Sequence, residues 1–241
     1  MAKRSWFESE RGIAFLEAAL SFVVLIPALL GAFATVAYMR EASQVRKIVE
    51  RYVSRPQVSI YSFSSQDGPL TLSTNHSGIE EAVRNTVEAA ESEIEARGED
   101  PNLSGEYFLE AAYAELRIDQ ETGEPLGLVR EPSTFSRSAG GLFVPAEVNS
   151  ATDLGDAFSR LAGTTISDEP GSRSVYATPS VFFGDGTQRK QYFPTVILFG
   201  LRIILSLDGT FSGEAYEQVG GDPFVYHARV VALRGELGHE E

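Results

Sequence analysis

The fold is decided by the stretch "RGIAFLEAALSFVVLIPALLGAFATVAYM" (residues 11–39), a run of apolar residues near the N-terminus. From Ala18 to Met39 no residue is charged, and 22 residues of α-helix extend about 33 Å. The hydrocarbon core of a bilayer is about 30 Å thick. A signal peptide fits less well, since its apolar core has only about 7–15 residues. The stretch therefore predicts a helix that spans a membrane once.

The segment that follows is predicted to continue the same helix. Its apolar residues recur along one helical face: Val45, Ile48, Val49, Tyr52 and Val53. Pro56 should stop the helix, because the residue before a proline avoids helical geometry. We therefore expect one helix from about Ile13 to about Ser54, apolar all round in its first half and amphipathic in its second. Pro27 is expected to kink it.

The charge is distributed unequally between the N-terminal segment and the rest of the chain. The 241 residues carry a net charge of -14, of which residues 1–55 contribute +3 and the remainder -17. An acidic body repels phosphate backbones, so we expect no binding to nucleic acid. The chain contains no cysteine, which excludes disulfides, thiol chemistry and thiolate metal sites.

Residues 56–241 are predicted to form an α+β domain with an antiparallel sheet and one or two further helices. Runs of β-branched and aromatic residues predict strands in "SVYATPSVFF" (174–183), "QYFPTVILFGLRIILSL" (191–207) and "PFVYHARVVALRG" (223–235). The segment "AAYAELRIDQETGEPLGLV" (111–129) predicts a hairpin. Residues 195–207 are too short for a second membrane span and contain Arg202, so we expect a buried strand bent near Gly200.

Two helices are predicted within this domain. The first should begin at a capping box of Ser77 and Glu80 and end near Gly98. Its buried face is expected to contain Ile79, Val83, Val87 and Ile94. The second is "DLGDAFSRLAG" (153–163), with Leu154, Phe158 and Leu161 on one face. Polar or glycine-rich stretches predict loops or turns at residues 64–78, 184–190 and 208–222.

Residue patterns that would indicate catalysis are missing from the sequence. It contains no nucleophile elbow, phosphate-binding loop or dinucleotide fingerprint. The three histidines are His76 in a predicted loop, His227 in a predicted strand and His239 in the C-terminal tail, without metal-ligand spacing. Asp185-Gly186 is typical of a hairpin turn. We therefore expect no enzyme, no cofactor and no metal.

Glu17 is the one acid within the apolar run, five residues after Gly12. A carboxylate in an apolar environment is costly unless it has a partner. It could reach the membrane interface from the helix end, but glutamate is shorter than lysine or arginine. That interpretation also leaves Gly12 unexplained.

The residues "ERGIAFLEAALSFVVLIPALL" (10–30) resemble the N-termini of type IV pilin-like proteins, in particular the TadE/TadF-like pseudopilins of the tight-adherence (Flp) pilus system. The resemblance implies that a prepilin peptidase cleaves between Gly12 and Ile13. It also implies that Glu17, then residue five, pairs with the N-terminal amine of a neighbouring subunit during assembly. Two residues depart from the family pattern: many pilins have Phe or Met at the position of Ile13, and major Flp pilins have Tyr at the position of Ala18. These departures argue against a major pilin.

The expected organisation has four parts: a cleaved leader (1–12), a transmembrane helix (13–39), its amphipathic continuation (40–55) and an extracytoplasmic domain (56–241). The expected function is that of a minor pilin-like structural subunit. Its expected partners are the bacterial inner membrane, the prepilin peptidase and other pilin and pseudopilin subunits, and it could enter an extracellular pilus. The alternative is a signal-anchored binding domain of the bacterial envelope; an anchored enzyme is a third hypothesis.

Overall fold

The protein combines one long N-terminal helix with an antiparallel sheet and further helices, which confirms the predicted α+β class. The computed structural model describes residues 3–54, 58, 60–64, 71–96, 106–129, 133–163, 179–184, 187–218 and 220–233. Helix α1 is Lys3–Val53. In chain order the other elements are β1 (Tyr61–Ser64), β2 (Thr71–Thr74), α2 (His76–Glu95), β3 (Tyr107–Ile118), β4 (Pro125–Leu128), β5 (Ser133–Ala139), α3 (Ala146–Ala151), α4 (Leu154–Ala162), β6 (Pro179–Gly184), β7 (Thr187–Tyr192), β8 (Thr195–Ser206), α5 (Phe211–Gln218) and β9 (Phe224–Leu233).

Helix α1 has 51 residues and runs without interruption through Pro27. It ends one residue before the predicted Ser54, but it begins at Lys3 rather than near Ile13. Residues 3–12 contain no proline, so nothing in the backbone prevents the helix from extending back through them. The kink expected at Pro27 stays a prediction.

The main sheet is built around two 12-residue strands, β3 and β8, which pair antiparallel along almost their whole length. Strand β9 lies on the other side of β8 and forms one edge. Two short strands share the outer side of β3, because β5 pairs with Tyr107–Tyr113 and β4 pairs with Leu116–Ile118. The predicted hairpin within residues 111–129 is therefore confirmed. Strands β1 and β2 pair with each other, as do β6 and β7.

Strand β8 is buried from Val196 to Ser206, which confirms the buried strand predicted there. Side chains alternate along a strand, so β8 contributes to a core on each face. One core contains Ile197 and Phe199 together with residues of α1 and α2. The other contains Leu198 with Leu154 and Phe158 of α4. Because both faces are covered, the strand shows a continuous apolar run instead of the alternation of a half-exposed strand.

Gly200 lets α4 approach β8 closely. A Cβ atom at this position would lie 3.1 Å from side-chain atoms of Leu154, Phe158 and Val230, tighter than most contacts in protein cores. The glycine is therefore explained by packing against α4. The bend predicted near it stays a prediction.

The start of α2 differs from the prediction. The helix begins at His76, and the side chain of Asn75 caps it by accepting a hydrogen bond of 3.2 Å from the backbone N–H of Gly78. The prediction of a capping box of Ser77 and Glu80 is therefore wrong. The prediction of a loop at His76 is also wrong, because this residue lies in the helix. Asparagine is among the best N-cap residues, and here it immediately follows β2, itself within the predicted loop 64–78. The predicted buried face of α2 is confirmed.

Residues 208–222, predicted as a turn, contain the helix α5. The backbone N–H of Gly213 donates to the hydroxyl of Thr210 at 3.0 Å, which caps its first turn. Tyr216 of this helix stacks on Tyr38 of α1, so a contact distant in sequence stabilises an otherwise weak helix. The turn predicted at residues 184–190 is too long, because Gly184 ends β6 and residues 187–190 belong to β7; Asp185 and Gly186 lie outside the described residues.

Arg202 is only 8% exposed and is paired on the α4 face of the sheet. Its guanidinium forms an ion pair with Glu110, the residue opposite it on β3. It also donates to Oδ1 of Asn149 at 2.8 Å and lies 4.9 Å from the centre of the Phe108 ring. The charge is therefore compensated, and the same contacts hold α3 against the sheet.

Arg202→Met should lower the free energy of unfolding by about 3 kcal/mol, because it leaves the Glu110 carboxylate without its cation. The double variant Arg202→Met/Glu110→Met should recover most of this loss, since no unpaired charge remains. Urea unfolding of the full chain in detergent measures both values. Equal losses in the single and double variants would contradict the pairing.

Candidate functional site: the exposed half of the N-terminal helix

Helix α1 has two halves with different surroundings. Its C-terminal half packs on the sheet, where Val45, Ile48, Val49 and Val53 are buried. By contrast, every residue from 13 to 30 is exposed. The most apolar 18-residue window of the helix has a mean hydropathy of 2.4, and none of it is covered by the rest of the protein. Among the described residues, this is the one helix long and apolar enough to cross a membrane.

The exposed half, residues 13–30, is much larger than the apolar patches that soluble monomers tolerate. Eighteen helical residues are about 27 Å long, close to the thickness of a hydrocarbon core. By length and composition, the described part of the chain thus contains a single N-terminal apolar helix that could serve as a membrane anchor, followed by a folded domain.

The structure places Gly12, Ile13 and Glu17 of the sequence-predicted site at the N-terminal end of this exposed half. Gly12 and Ile13 lie within α1, and Glu17 follows Ile13 by four residues, about 6 Å along the axis. The side chain of Glu17 is exposed and forms no ion pair with any described residue. The hydroxyl of Ser21 donates to the backbone carbonyl of Glu17 at 2.8 Å. Pro27 lies in the same exposed half.

The two halves of α1 meet at a neck formed by Ala34, Tyr38 and Tyr216, which sequence reasoning missed. Ala34 is fully buried, and the rings of Tyr38 and Tyr216 stack with their centres 4.4 Å apart. The Tyr38 hydroxyl donates to the backbone carbonyl of Phe224 at 3.2 Å. The domain thus holds α1 directly beside the exposed half. A tyrosine at the end of an apolar span is typical of membrane interfaces and was the available signal.

Charged groups contribute to the packing of α1 on β9. Glu50 accepts a hydrogen bond of 2.8 Å from Arg46 and lies 3.4 Å from Arg229 of β9. The hydrogen bond from Arg46 holds the pKa of Glu50 below its usual range. Burial, with Arg46 nearby, lowers the pKa of His227 on the same strand. The imidazole is therefore favoured in its neutral form against α1.

Polar contacts also connect α2 to β3. The hydroxyl of Tyr107 donates to carboxylate oxygens of Glu91 and Glu95 at 3.0 and 3.2 Å, and burial raises its pKa. Nε2 of His76 lies 3.8 Å from the carboxylate of the buried Glu115. No three His, Cys, Asp or Glu side chains converge on a metal position within the described ranges. These contacts have a structural role in holding α2 on the sheet.

Comparison with known proteins adds no family to this picture. No family model, no curated protein and no solved structure matches the chain. The functional interpretation therefore depends on the residues of α1 and on the contrast between its exposed and packed halves.

His227→Gln should flatten the dependence of stability on pH between pH 5 and 7. The pKa of His227 is lowered from 6.5 in the folded state, so the unfolded chain binds the proton first as the pH falls. This residue therefore removes stability below about pH 6.5, by less than about 1 kcal/mol because solvent screens the half-exposed ring. Urea unfolding of the full chain in detergent at several pH values measures it. Parallel profiles for both proteins would contradict the prediction.

Proposed function

We propose that the chain is a minor pilin-like subunit, a TadE/TadF-type pseudopilin of a Tad/Flp-type pilus. In this proposal α1 anchors it in the bacterial inner membrane, and the folded domain is extracytoplasmic. The observation that carries the proposal is the exposed half of α1, in which Glu17 is the single charged side chain. Gly12 immediately precedes that half.

The division of α1 supports this proposal over a simple anchor. An anchor needs only apolar side chains, and an acid near its end costs free energy in lipid. A subunit that leaves the membrane and stacks its helix among other helices can instead pair that acid with a cation of a neighbour. The resemblance to pilin-like proteins supplies such a cation, the N-terminal amine created at Ile13. A buried pair of this kind can fix the axial register between helices, as buried polar groups do in coiled coils.

The packed half of α1 is also consistent with the proposal. Pilin-like proteins share a plan in which a long N-terminal helix packs its C-terminal half on an antiparallel sheet. Here α1 packs on β8, β9 and α5 while residues 13–30 remain available for lipid or for other helices. The neck attaches the helix directly to the domain, so a helix that stacks in a fibre would carry the domain with it.

The mature protein should begin at Ile13, with or without a methyl group on its amine. Cleavage there follows from the resemblance, and Gly12 lowers local helix stability by about 1 kcal/mol, which helps the helix to open for the peptidase. Intact mass and N-terminal sequencing of protein purified from its own membranes test this. A chain that still begins at Met1 or Ala2 in cells with an active prepilin peptidase would contradict it.

Glu17→Ala should abolish pilus assembly or co-assembly while leaving membrane insertion and cleavage intact. The substitution removes the proposed partner of the neighbouring amine but keeps the span apolar. Glu17→Gln, which keeps the shape and loses the charge, should also impair assembly. Piliation is measured by electron microscopy and by the amount of sheared pilus protein.

Glu10→Ala is the matched control. Glu10 lies in the segment that cleavage removes, so this substitution should leave assembly unchanged. Normal piliation in Glu17→Ala would disprove the assembly role of Glu17. Replacement of residues 1–30 by an unrelated single-span anchor separates the remaining alternatives. If the chimera replaces the native protein fully, with normal piliation, a tethered binding domain would be favoured over a pilin-like subunit.

A further inference from the structure

One end of the sheet is turned towards the exposed half of α1. Tyr38 bonds to Phe224 at the start of β9, and Glu50 pairs with Arg229 further along that strand. Twelve helical residues rise about 18 Å, and five residues of a strand rise about 17 Å. The helix and β9 therefore run nearly parallel, and the start of β9 lies at the end closest to residues 13–30.

The strand register shows which ends of the other strands are aligned with the start of β9. Phe224 is opposite Ser206 on β8, and the neighbouring Leu205 is opposite Tyr107 on β3. Tyr107 is in turn opposite Ala139, the last residue of β5. The start of β9, the end of β8, the start of β3 and the end of β5 together form what we call the proximal end of the domain.

An apolar loop projects from the proximal end. Residues 140–145, with the sequence GGLFVP, leave β5 there, and Phe143 is 85% exposed. Gly140 and Gly141 both have left-handed backbone conformations, with φ of 73° and 71°. A Cβ atom at Gly140 would lie 2.4 Å from Cγ of Glu106, so the close turn depends on glycine. The loop geometry thus presents a bulky aromatic ring to the surroundings.

The neck leaves little distance between this end and a membrane. Residues 13–33 of α1 are about 32 Å long, which matches a hydrocarbon core of about 30 Å. Ala34, the next residue, is already buried by the domain. A domain attached without a spacer has its proximal end at the level of the lipid headgroups, where aromatic side chains are favoured.

We propose that Phe143, which lies between the half-buried Leu142 and Val144, inserts into the interfacial region of the bilayer that α1 spans. This second contact would fix how the domain is oriented on the membrane before assembly. The inference rests on the membrane anchoring in the proposed function. Zwitterionic lipid is the suitable test surface, because the exposed acids Glu214 and Asp222 on the α5 side repel anionic headgroups.

Single-cysteine labelling tests the contact directly, because the chain has no cysteine of its own. Phe143→Cys, Leu126→Cys and Val24→Cys are each labelled with an environment-sensitive fluorophore in phosphatidylcholine nanodiscs. Leu126 is the matched control, since it is also apolar and 60% exposed but lies on β4 at the opposite end of β3. Val24, 72% exposed in the middle of the apolar half, is the positive control.

Spin-labelled lipid should quench the fluorophore at positions 24 and 143 and leave that at position 126 unaffected. Quenching at 24 with none at 143 would overturn the proposal and leave the anchoring intact. A lack of quenching at 24 would overturn the anchoring itself. Shielding at 143 that rises with protein concentration, without lipid quenching, would mean that a second copy covers the loop, which also overturns the proposal.

A second variant tests whether the aromatic ring causes the contact. The fluorophore is placed at Leu142→Cys, with Phe143 either retained or changed by Phe143→Asp. Lipid quenching should fall at least about two-fold in the aspartate variant, because a charged side chain disfavours the interface. Equal quenching in both proteins would show that Phe143 does not hold the loop in lipid.

Discussion

The continuity of α1 as one helix of 51 residues connects two environments that have nothing else in common. One face of residues 34–53 packs on the core of the folded domain, while residues 13–30 are exposed along their whole length. Because one helix carries both, the orientation of the domain is coupled to that of the apolar segment. The stacked pair of Tyr38 and Tyr216 reinforces this at the junction. The packing of α1 on β8, β9 and α5 therefore sets where the main sheet lies relative to the apolar segment.

The sheet provides a rigid support for this helix because its central strands are covered on both sides. Helices α1 and α2 pack on one face, and α3 and α4 pack on the other. Such burial would be costly for Arg202, and its pairing with Glu110 removes most of that cost. The domain therefore tolerates a charge in the interior of β8, its most continuously buried strand.

Within one chain, neither the apolar side chains of the exposed half of α1 nor the carboxylate of Glu17 is covered by other described residues. The apolar side chains can be covered by lipid or by other helices, but the carboxylate of Glu17 is served better by helices that offer a cation. In the proposed function, this difference in free energy favours the assembled subunit over the unassembled subunit in the membrane. The contact proposed for Phe143 would act at the earlier stage, by orienting the domain on the bilayer.

Sequence patterns that depend on near neighbours predicted the local structure well. Helical periodicity identified α1 and the buried face of α2, and runs of β-branched residues identified β8 and β9. Other features depended on chain segments far apart. Helix α5 is stabilised by Tyr38, more than 170 residues away, and β3 accepts two short strands on one side. The N-cap at Asn75 was missed because several polar residues there competed for the role.

The sequence by itself determined the candidate site, because Gly12, Glu17 and the apolar run are adjacent along the chain and need no fold to be recognised. Only the tertiary structure decided at which residues the domain packs on α1 and which end of the domain faces the apolar segment. The register that aligns Phe224 with Ala139 across four strands, and so brings Phe143 to that end, is a long-range property. Cross-strand hydrogen bonds and packing fix it, and neither can be read from local residue patterns.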